Sequence, residues 1–340
     1  MKRLLSTTAV TLLASLGAAQ AGQVNIVIQD FDVQNEQNVI NSIDAGAIVD
    51  SSQEGTNIAN IASLLDTTPG AAGDTDDGGT AVDPLLLAAA VDAVNDVFGT
   101  SLTPADVADY INGHGDLYAG AQLFADIQRV TNTAKAGLGA AEVAQTGTNV
   151  ANVFTVEDAY DGSDVGDVYL VYQSFGSWFA DGYADAEVTR QTVENTIRAT
   201  DDINDSSQDG TNLANVISIA DDGGSLDAGE LVGNQMLLVQ VAGGPARLTK
   251  QLVRNKAHAG DDINGLTQSA LNAVNLVSLT LDGDQASGLT AIGQKTYENF
   301  DQSISNVAQA HSIATGIAQS GTNLGNVVTV SVTVEDGNGS

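Results

Sequence analysis

One short amide pattern occurs ten times in this chain and constrains its fold more than any other feature of the sequence. The pattern is a glutamine, an asparagine four residues later and, two residues further on, a small or branched apolar residue. The ten copies form five pairs, whose members lie about 17 residues apart. Self-similarity at a fixed spacing is typical of stacked repeats rather than of independent domains. The Gln and Asn positions are Gln37/Asn41 and Gln53/Asn57, Gln128/Asn132 and Gln145/Asn149, Gln191/Asn195 and Gln208/Asn212, Gln251/Asn255 and Gln268/Asn272, and Gln302/Asn306 and Gln319/Asn323.

The spacing inside the motif predicts a β-strand with its amides facing inward. Glutamine, asparagine and the small residue recur at every second position, which places them on one face of a strand. An unpaired amide in a core costs about 1–3 kcal/mol, but stacked strands can pair each amide with its copies above and below, as in cross-β ladders. We therefore predict a mainly β fold, a β-solenoid-like stack of about ten short rungs in five pairs, held by Asn/Gln ladders.

A glycine precedes the second asparagine of four pairs, at Gly55, Gly147, Gly210 and Gly321. Two interpretations follow, a tight connection that needs φ > 0 or a close approach between neighbouring chains. The fourth unit has Ala270 and Leu271 instead, which predicts a looser turn there.

A β-branched segment follows the second motif and carries apolar residues at both parities. Around Asn212, the residues Leu213, Ile217 and Ile219 alternate with Ala214 and Val216. A strand that is apolar on both faces predicts a second layer or a partner chain. A helix is the alternative, because Asn215 lies three residues after Asn212, but the run Val-Val-Thr-Val-Ser-Val-Thr-Val at 327–334 favours a strand.

Segments of unequal length separate the motif pairs, and we expect them to decorate or cap the stack. Helix-start signals occur at Asp83-Pro84 and Thr103-Pro104, and the apolar run 236–242 indicates one more strand. The predicted segments are a signal peptide at 1–21, repeat pairs at 22–66, 124–158, 189–221, 249–282 and 300–340, a partly helical insert at 67–123, an aromatic-rich insert at 159–188, an insert at 222–248 and a linker at 283–299.

Residues 1–21 have the pattern of a secretory signal peptide. Lys2 and Arg3 precede a mostly apolar run, and Ala19-Gln20-Ala21 gives a small-x-small cleavage site. No later segment reaches the roughly 20 apolar residues of a membrane-spanning helix. We therefore expect a secreted or cell-surface protein without a transmembrane segment. The absence of cysteine excludes disulfides and thiolate metal sites.

The charge of the chain argues against nucleic acid as a partner. Without residues 1–21, the chain has 9 basic and 43 acidic residues, a net charge of −34. Nucleic-acid binding depends on Lys and Arg that neutralise phosphates. The 43% of apolar residues is nevertheless enough to bury a core.

Catalytic signatures are absent from the sequence, so we expect no enzyme and no cofactor. The three histidines, His114, His258 and His311, stand in unrelated contexts, and no zinc, phosphate-loop or nucleophile-elbow motif occurs. His258 occupies a variable position where sister units have Lys135 and Arg198, which predicts a solvent-facing residue. A polysaccharide-active enzyme that uses paired carboxylates is the third functional alternative.

Short-spaced aspartates raise calcium as an alternative, because carboxylate oxygens are the ligands that Ca²⁺ prefers. Solvated turns are the simpler interpretation. An aromatic cluster from Tyr169 to Tyr183 also has two interpretations. It could form a platform that binds carbohydrate, or it could be the hydrophobic core of a small insert. The aspartates are Asp74, Asp76 and Asp77, then Asp161, Asp164 and Asp167, and finally Asp282 and Asp284; the aromatics are Tyr169, Tyr172, Phe175, Trp178, Phe179 and Tyr183.

Two motif segments resemble the curlin repeat of bacterial curli fibres. They read Gln145-Thr-Gly147-Thr-Asn149-Val-Ala151-Asn-Val153 and Gln208-Asp-Gly210-Thr-Asn212-Leu-Ala214-Asn-Val216, and related blocks recur in five separated parts of the chain. Curlins are stacks of strand–turn–strand rungs with inward Gln and Asn rows, whose subunits add end to end into adhesive fibres. The resemblance implies the same stacked arrangement with inward amide rows here, although the spacing from Gln to Asn is one residue shorter in this chain and long inserts separate its units.

Together these observations predict a secreted structural or adhesive repeat protein, a subunit of a curli-like fibre or biofilm matrix. The expected partners are further copies of the chain, surface glycans or other matrix proteins. The alternative is a monomeric surface module that binds glycan or calcium through its inserts.

Overall fold

The computed structural model describes residues 24–31, 36–66, 103, 117–158, 168–176, 189–221, 235–244, 248–282 and 290–333. These residues confirm the mainly β prediction, because almost all of them lie in sixteen strands. The strands are β1 (Val24–Phe31), β2 (Gln37–Ala45), β3 (Ile48–Asp66), β4 (Leu117–Phe124), β5 (Ile127–Ala136), β6 (Ala140–Asp158), β7 (Val168–Phe175), β8 (Thr189–Ala199), β9 (Ile203–Asp221), β10 (Gln235–Ala242), β11 (Thr249–Ala259), β12 (Ile263–Asp282), β13 (Thr290–Thr296), β14 (Phe300–Gln309), β15 (Ala314–Gln319) and β16 (Thr322–Thr333).

The strands form three parallel sheets that the chain visits in turn. Sheet A has the order β1-β4-β7-β10-β13, sheet B the order β2-β5-β8-β11-β14, and sheet C the order β3-β6-β9-β12, followed by β15 and β16. Each passage through sheets A, B and C makes one coil, so β1–β3 are coil 1 and β13–β16 are coil 5. This stack of parallel layers is compatible with the predicted β-solenoid.

The predicted number of about ten rungs is wrong, because the two motifs of a pair belong to one coil. The first motif lies in sheet B and its twin in sheet C, as with Gln37 in β2 and Gln53 in β3. Gln37 pairs in register with Gln128 of the next coil rather than with its twin. The spacing within a motif pair fits either two stacked rungs or two sides of one coil, and the parallel pairing selects the second.

The inserts contribute to the stack, so the expectation that they only decorate or cap it is wrong for four strands. The segments 67–123, 159–188, 222–248 and 283–299 supply β4, β7, β10 and β13 of sheet A, respectively. The strand predicted at 236–242 is confirmed as part of β10. The signal peptide and the two helices expected after Pro84 and Pro104 lie outside the described residues. In the part of the chain that is described, no helix is long and apolar enough to cross a membrane.

Asparagine bends each sheet C strand and shifts its inward–outward alternation. Asn215 adopts a left-handed backbone with φ of 54°, a conformation that Asn tolerates better than most residues. Ala214 and Asn215 are both buried, after which Ile217 and Ile219 point inward and Val216 points outward. The phase shift therefore places Ala214, Ile217 and Ile219 on the inner side, whereas Leu213 and Val216 lie on the outer side. The strand interpretation is confirmed, and the helix alternative is wrong.

Aliphatic and aromatic rows fill the space between the sheets. Tyr118 stacks on Tyr169 with ring centroids 5.1 Å apart, and Phe124 stacks on Phe175 at 5.7 Å. All four are fully buried, so Tyr169 and Phe175 belong to the core of the stack rather than to a carbohydrate platform or a separate insert core. Tyr172 is also buried, and burial raises its pKa to about 12. The other predicted aromatics, Trp178, Phe179 and Tyr183, lie outside the described residues.

The motif glycines allow a close approach between sheets B and C. A Cβ added to Gly210 would lie 2.3 Å from Val253 Cγ1, and one added to Gly147 would lie 2.4 Å from Val193 Cγ1. Both glycines lie inside long strands, and neither has a positive φ. The close-approach interpretation is therefore confirmed, and the predicted tight connection is wrong. The looser turn expected at Ala270 is also wrong, because β12 runs through it without a break.

We predict that Gly210→Ala destabilises the fold by about 1–3 kcal/mol, because the added methyl group overpacks against Val253. Val253→Ala in the same chain removes the clashing methyl group, so the double variant is expected to lose about 1 kcal/mol less than the sum of the single changes. Thermal and denaturant unfolding measure both quantities. Gly46→Ala is the control, because no atom lies within 4 Å of its added Cβ. Strict additivity would contradict the close approach.

Candidate functional site

The structure brings all twenty predicted amide residues together into four axial rows. The sheet B glutamines are linked by hydrogen bonds of 2.8 Å, and the sheet C glutamines by bonds of 2.6–2.9 Å. Both asparagine rows are linked by bonds of 2.8–2.9 Å. The rows are Gln37-Gln128-Gln191-Gln251-Gln302, Asn41-Asn132-Asn195-Asn255-Asn306, Gln53-Gln145-Gln208-Gln268-Gln319 and Asn57-Asn149-Asn212-Asn272-Asn323.

Two further ladders run through the stack and were missed by the sequence analysis. One joins a glutamine in each sheet A strand, and the other joins the bend asparagines of sheet C, with bonds of 2.6–2.9 Å in both. The signals were present, because each bend asparagine follows the second motif asparagine by three residues. The rows are Gln29-Gln122-Gln173-Gln240-Gln294 and Asn60-Asn152-Asn215-Asn275-Asn326.

The amides also join the sheets across the core. Besides its bond along the ladder, Asn132 Nδ2 donates to Thr146 O of the facing sheet at 2.9 Å. Gln128 Nε2 donates in the same way to Val150 O at 3.0 Å. Both side chains are fully buried, so the two N–H groups of each amide have partners where water is excluded. Each such bond contributes about 0.5–1.5 kcal/mol, and an unmade bond costs more.

The bonds between facing sheets show that sheets B and C are offset along the stack axis, an offset that we call the staircase arrangement. Sheet B amides donate to sheet C of their own coil, as Asn132 does. In coils 1 to 4, the motif amides of sheet C instead donate to sheet B of the next coil, as when Asn149 Nδ2 donates to Thr192 O at 3.0 Å. Each sheet C strand thus lies between two successive sheet B strands, and it interlocks their coils.

Asparagine and glutamine ladders have opposite directions. In every bond between ladder asparagines, the donor lies in the coil nearer the N-terminus, as when Asn149 donates to Asn212. In every bond between ladder glutamines, the donor lies in the coil nearer the C-terminus, as when Gln208 donates to Gln145. Because the amide dipoles of the two types oppose each other, the stack avoids one large dipole along its axis.

The two ends of the stack have complementary unfinished ladders. In coil 1, Gln37 Nε2 donates to Ile58 O but to no further glutamine within the described residues, and Asn41 Oδ1 accepts from no ladder asparagine there. In coil 5, the described residues contain no donor from a following coil to Gln302 Oε1. In the described part of the chain, Asn306 Nδ2 donates only to Ser320 O. Strands β15 and β16 are largely exposed, so coil 5 presents an open strand edge of the kind that pairs with another chain.

Most of the aspartates considered for calcium lie outside the described residues. These are Asp74, Asp76, Asp77, Asp161, Asp164, Asp167 and Asp284, whereas Asp282 is the last residue of β12. Among the residues that the structure describes, no three His, Asp or Glu side chains are grouped in a way that could hold a metal ion.

The two described histidines lie on the surface. His258 is exposed and pairs in register with Arg198, which agrees with the prediction that it faces solvent. His311 is exposed in the turn before β15, and His114 lies outside the described residues.

Comparison with known proteins gives no relative for this chain, since no family model, curated protein or solved structure matches it. The ladders and their open ends are therefore the features from which function is inferred.

We predict that the cost of breaking a ladder depends on how many neighbours it leaves unpaired. Asn212→Leu leaves two buried groups without their ladder partners, the side-chain N–H of Asn149 and the side-chain oxygen of Asn272. We therefore expect the free energy of unfolding to fall by more than about 2 kcal/mol. Asn323→Leu in the last coil removes a ladder partner from Asn272 alone, so the loss of stability should be about half as large.

Denaturant unfolding of the two variants measures this difference. The matched control is Asn264→Leu, since Asn264 lies on the outer, exposed side of β12, and it should change stability by less than about 0.5 kcal/mol. Equal losses at Asn212 and Asn264 would show that the ladder does not stabilise the fold.

Proposed function

We propose that this chain is a secreted structural repeat protein whose copies add end to end into an extracellular fibre or matrix. The observation that carries the proposal is the complementarity of the two open ends. The N-terminal export pattern and the curlin-like motifs support an extracellular fibre, and the proposal does not depend on a catalytic or metal site.

The polarity of the ladders defines how copies would join. At the end of coil 5, Asn323 has a donor and Gln319 an acceptor that point away from the stack. Coil 1 of a second copy offers the matching groups, Asn57 Oδ1 and Gln53 Nε2. Head-to-tail addition continues each ladder in its own direction. Contact between two coil 5 ends would instead place asparagine donors against donors and glutamine acceptors against acceptors, so the fibre would be polar.

The staircase arrangement makes the same addition fit in shape. In coil 5 the sheet C strands β15 and β16 are largely exposed, and in coil 1 strand β2 of sheet B is less buried than β3 of sheet C. A second copy placed on coil 5 would set its β1 and β2 beside the exposed β15 and β16, as each coil does to the one before it. Continuous strand pairing would then run along the fibre at about 4.8 Å per coil.

Charge controls when this addition is favourable. Copies that each carry a net charge of −34 repel one another at long range. Near 0.15 M salt the Debye length is about 8 Å, so the repulsion is screened while hydrogen bonds at the contact are kept. We therefore expect assembly to be faster in saline than in dilute buffer.

The test is assembly of the protein without residues 1–21, followed by negative-stain microscopy and fibre diffraction. We expect unbranched fibres with a reflection near about 4.8 Å. Stable monomers at every salt concentration would overturn the proposal and favour the monomeric glycan- or calcium-binding module.

A variant of the last coil sharpens the test. Gln302→Leu with Gln319→Leu removes acceptors from the coil 5 end and leaves coil 1 intact, so the variant can join a growing fibre but cannot extend it. A few per cent of this variant mixed with wild type should shorten the fibres by about tenfold, as chain termination requires. Gln309→Leu is the matched control, because this exposed glutamine ends β14 outside the ladders.

A further inference from the structure

The few cations of this acidic chain are concentrated on one face of the stack. Nine Lys and Arg residues follow position 21, and seven of them lie on the three middle strands of sheet B, β5, β8 and β11. They occupy positions that alternate with the buried ladder residues, so they point outward. We call this surface the basic face; its members are Arg129, Lys135, Arg190, Arg198, Lys250, Arg254 and Lys256.

Most of this positive charge has no partner within the described part of the chain. The ion pairs there are Arg254 with Glu194, at 2.9 Å, and Lys250 with Asp301, at 3.8 Å. Glu194 is the one acidic residue on β5, β8 and β11. Lys135 and Lys256 are exposed and form no ion pair among the described residues. Three adjacent strands therefore carry a net charge of +6 on a chain whose net charge is strongly negative.

The neighbouring corner carries the opposite charge. The strands of sheet C contain no Lys or Arg. Exposed carboxylates follow the corner between sheets B and C in coils 1 to 4. We call this the acidic ridge; its members are Asp50, Glu142, Asp201, Asp205 and Asp261.

We propose that the basic face is a lateral contact surface for the acidic ridge of a second copy of this chain. Both surfaces repeat with the strand spacing of about 4.8 Å, because both are built on the same coils. Two stacks with aligned axes can thus match cations with carboxylates over several coils. Charge complementarity of this kind sets register and partner choice.

This contact is independent of the end-to-end contact in the proposed function. All seven cations lie in coils 2 to 4, whereas the open ladders lie in coils 1 and 5. If the ends do not join, lateral pairs of monomers still form. If the lateral contact fails, single unbundled fibres remain.

Salt gives the lateral contact a distinctive signature. At about 0.01 M salt the Debye length is near 30 Å and net repulsion dominates, whereas at about 1 M it is near 3 Å and the contact itself is screened. Lateral association is therefore expected to pass through a maximum near about 0.15 M. Binding of an external polyanion would instead weaken steadily as salt increases.

The experiment compares two variants of equal net charge by sedimentation and by microscopic scoring of bundles. Lys135→Gln, Arg198→Gln and Lys256→Gln together remove three cations from the basic face. The control, Thr155→Glu, Ser218→Glu and Ser278→Glu, adds the same negative charge to outward positions of sheet C distant from that corner. We expect the first variant to lower the lateral association constant at least tenfold and the control to lower it less than threefold, and thermal melting checks that both variants are folded at the temperature of the measurement.

A charge exchange decides whether the ridge is the partner. One protein carries Lys135→Glu, Arg198→Glu and Lys256→Glu, and the other carries Glu142→Lys, Asp201→Lys and Asp261→Lys. Neither is expected to associate laterally alone, and their mixture is expected to recover association. No recovery, or equal loss in the net-charge control, would overturn the proposal. Binding of polygalacturonate to the basic face without self-association would also overturn it, because the face would then serve an anionic polymer.

Discussion

The whole structure depends on buried amides that must stack in register. A Gln or Asn side chain in the core has two N–H groups and a carbonyl oxygen to satisfy, and the facing backbone supplies only part of what it needs. An identical amide in the next coil supplies the rest, as in the row that joins Asn149, Asn212 and Asn272. A slip of one residue would turn every ladder outward. The ladders therefore set the register of every strand.

Packing follows from that register. Once the amides are aligned, Val130, Val193 and Val253 form one continuous apolar row in sheet B. The facing position of sheet C must then be small, and Gly147 and Gly210 meet this requirement through the absence of a Cβ. Gly120 likewise makes room for the ring of Phe154. Side-chain size and hydrogen bonding thus agree along the whole stack, which is the consistency expected of a sequence with one native fold.

Features that repeat at a constant spacing could be predicted from the sequence, whereas features that several geometries satisfy could not. The twenty motif amides could be identified because their spacing is constant, and their period of two indicates a strand. The number of coils could not be predicted, because the spacing between the two motifs of a pair is the same whether they lie in two stacked rungs or on two sides of one coil. Apart from the strand predicted at 236–242, sheet A was missed because its strands carry a single ladder residue each, such as Gln173, and lie in segments of unequal length. The bend at Asn215 was missed because a single left-handed residue leaves no gap in a strand-like sequence.

The outer rows are free of these core constraints, and their charges are arranged in a way that the stability of a single chain does not explain. Like charges in adjacent coils oppose folding, with costs of about 0.2–1 kcal/mol for each directly opposed pair. Alternating signs would be more favourable, as the pair of Arg254 with Glu194 shows. Instead, Lys135 lies directly beside Arg198, with Asp44 of β2 on its other side, and the acidic ridge follows the next corner. The proposed lateral contact would recover the energy that segregation costs each chain, since it would bring the two surfaces together.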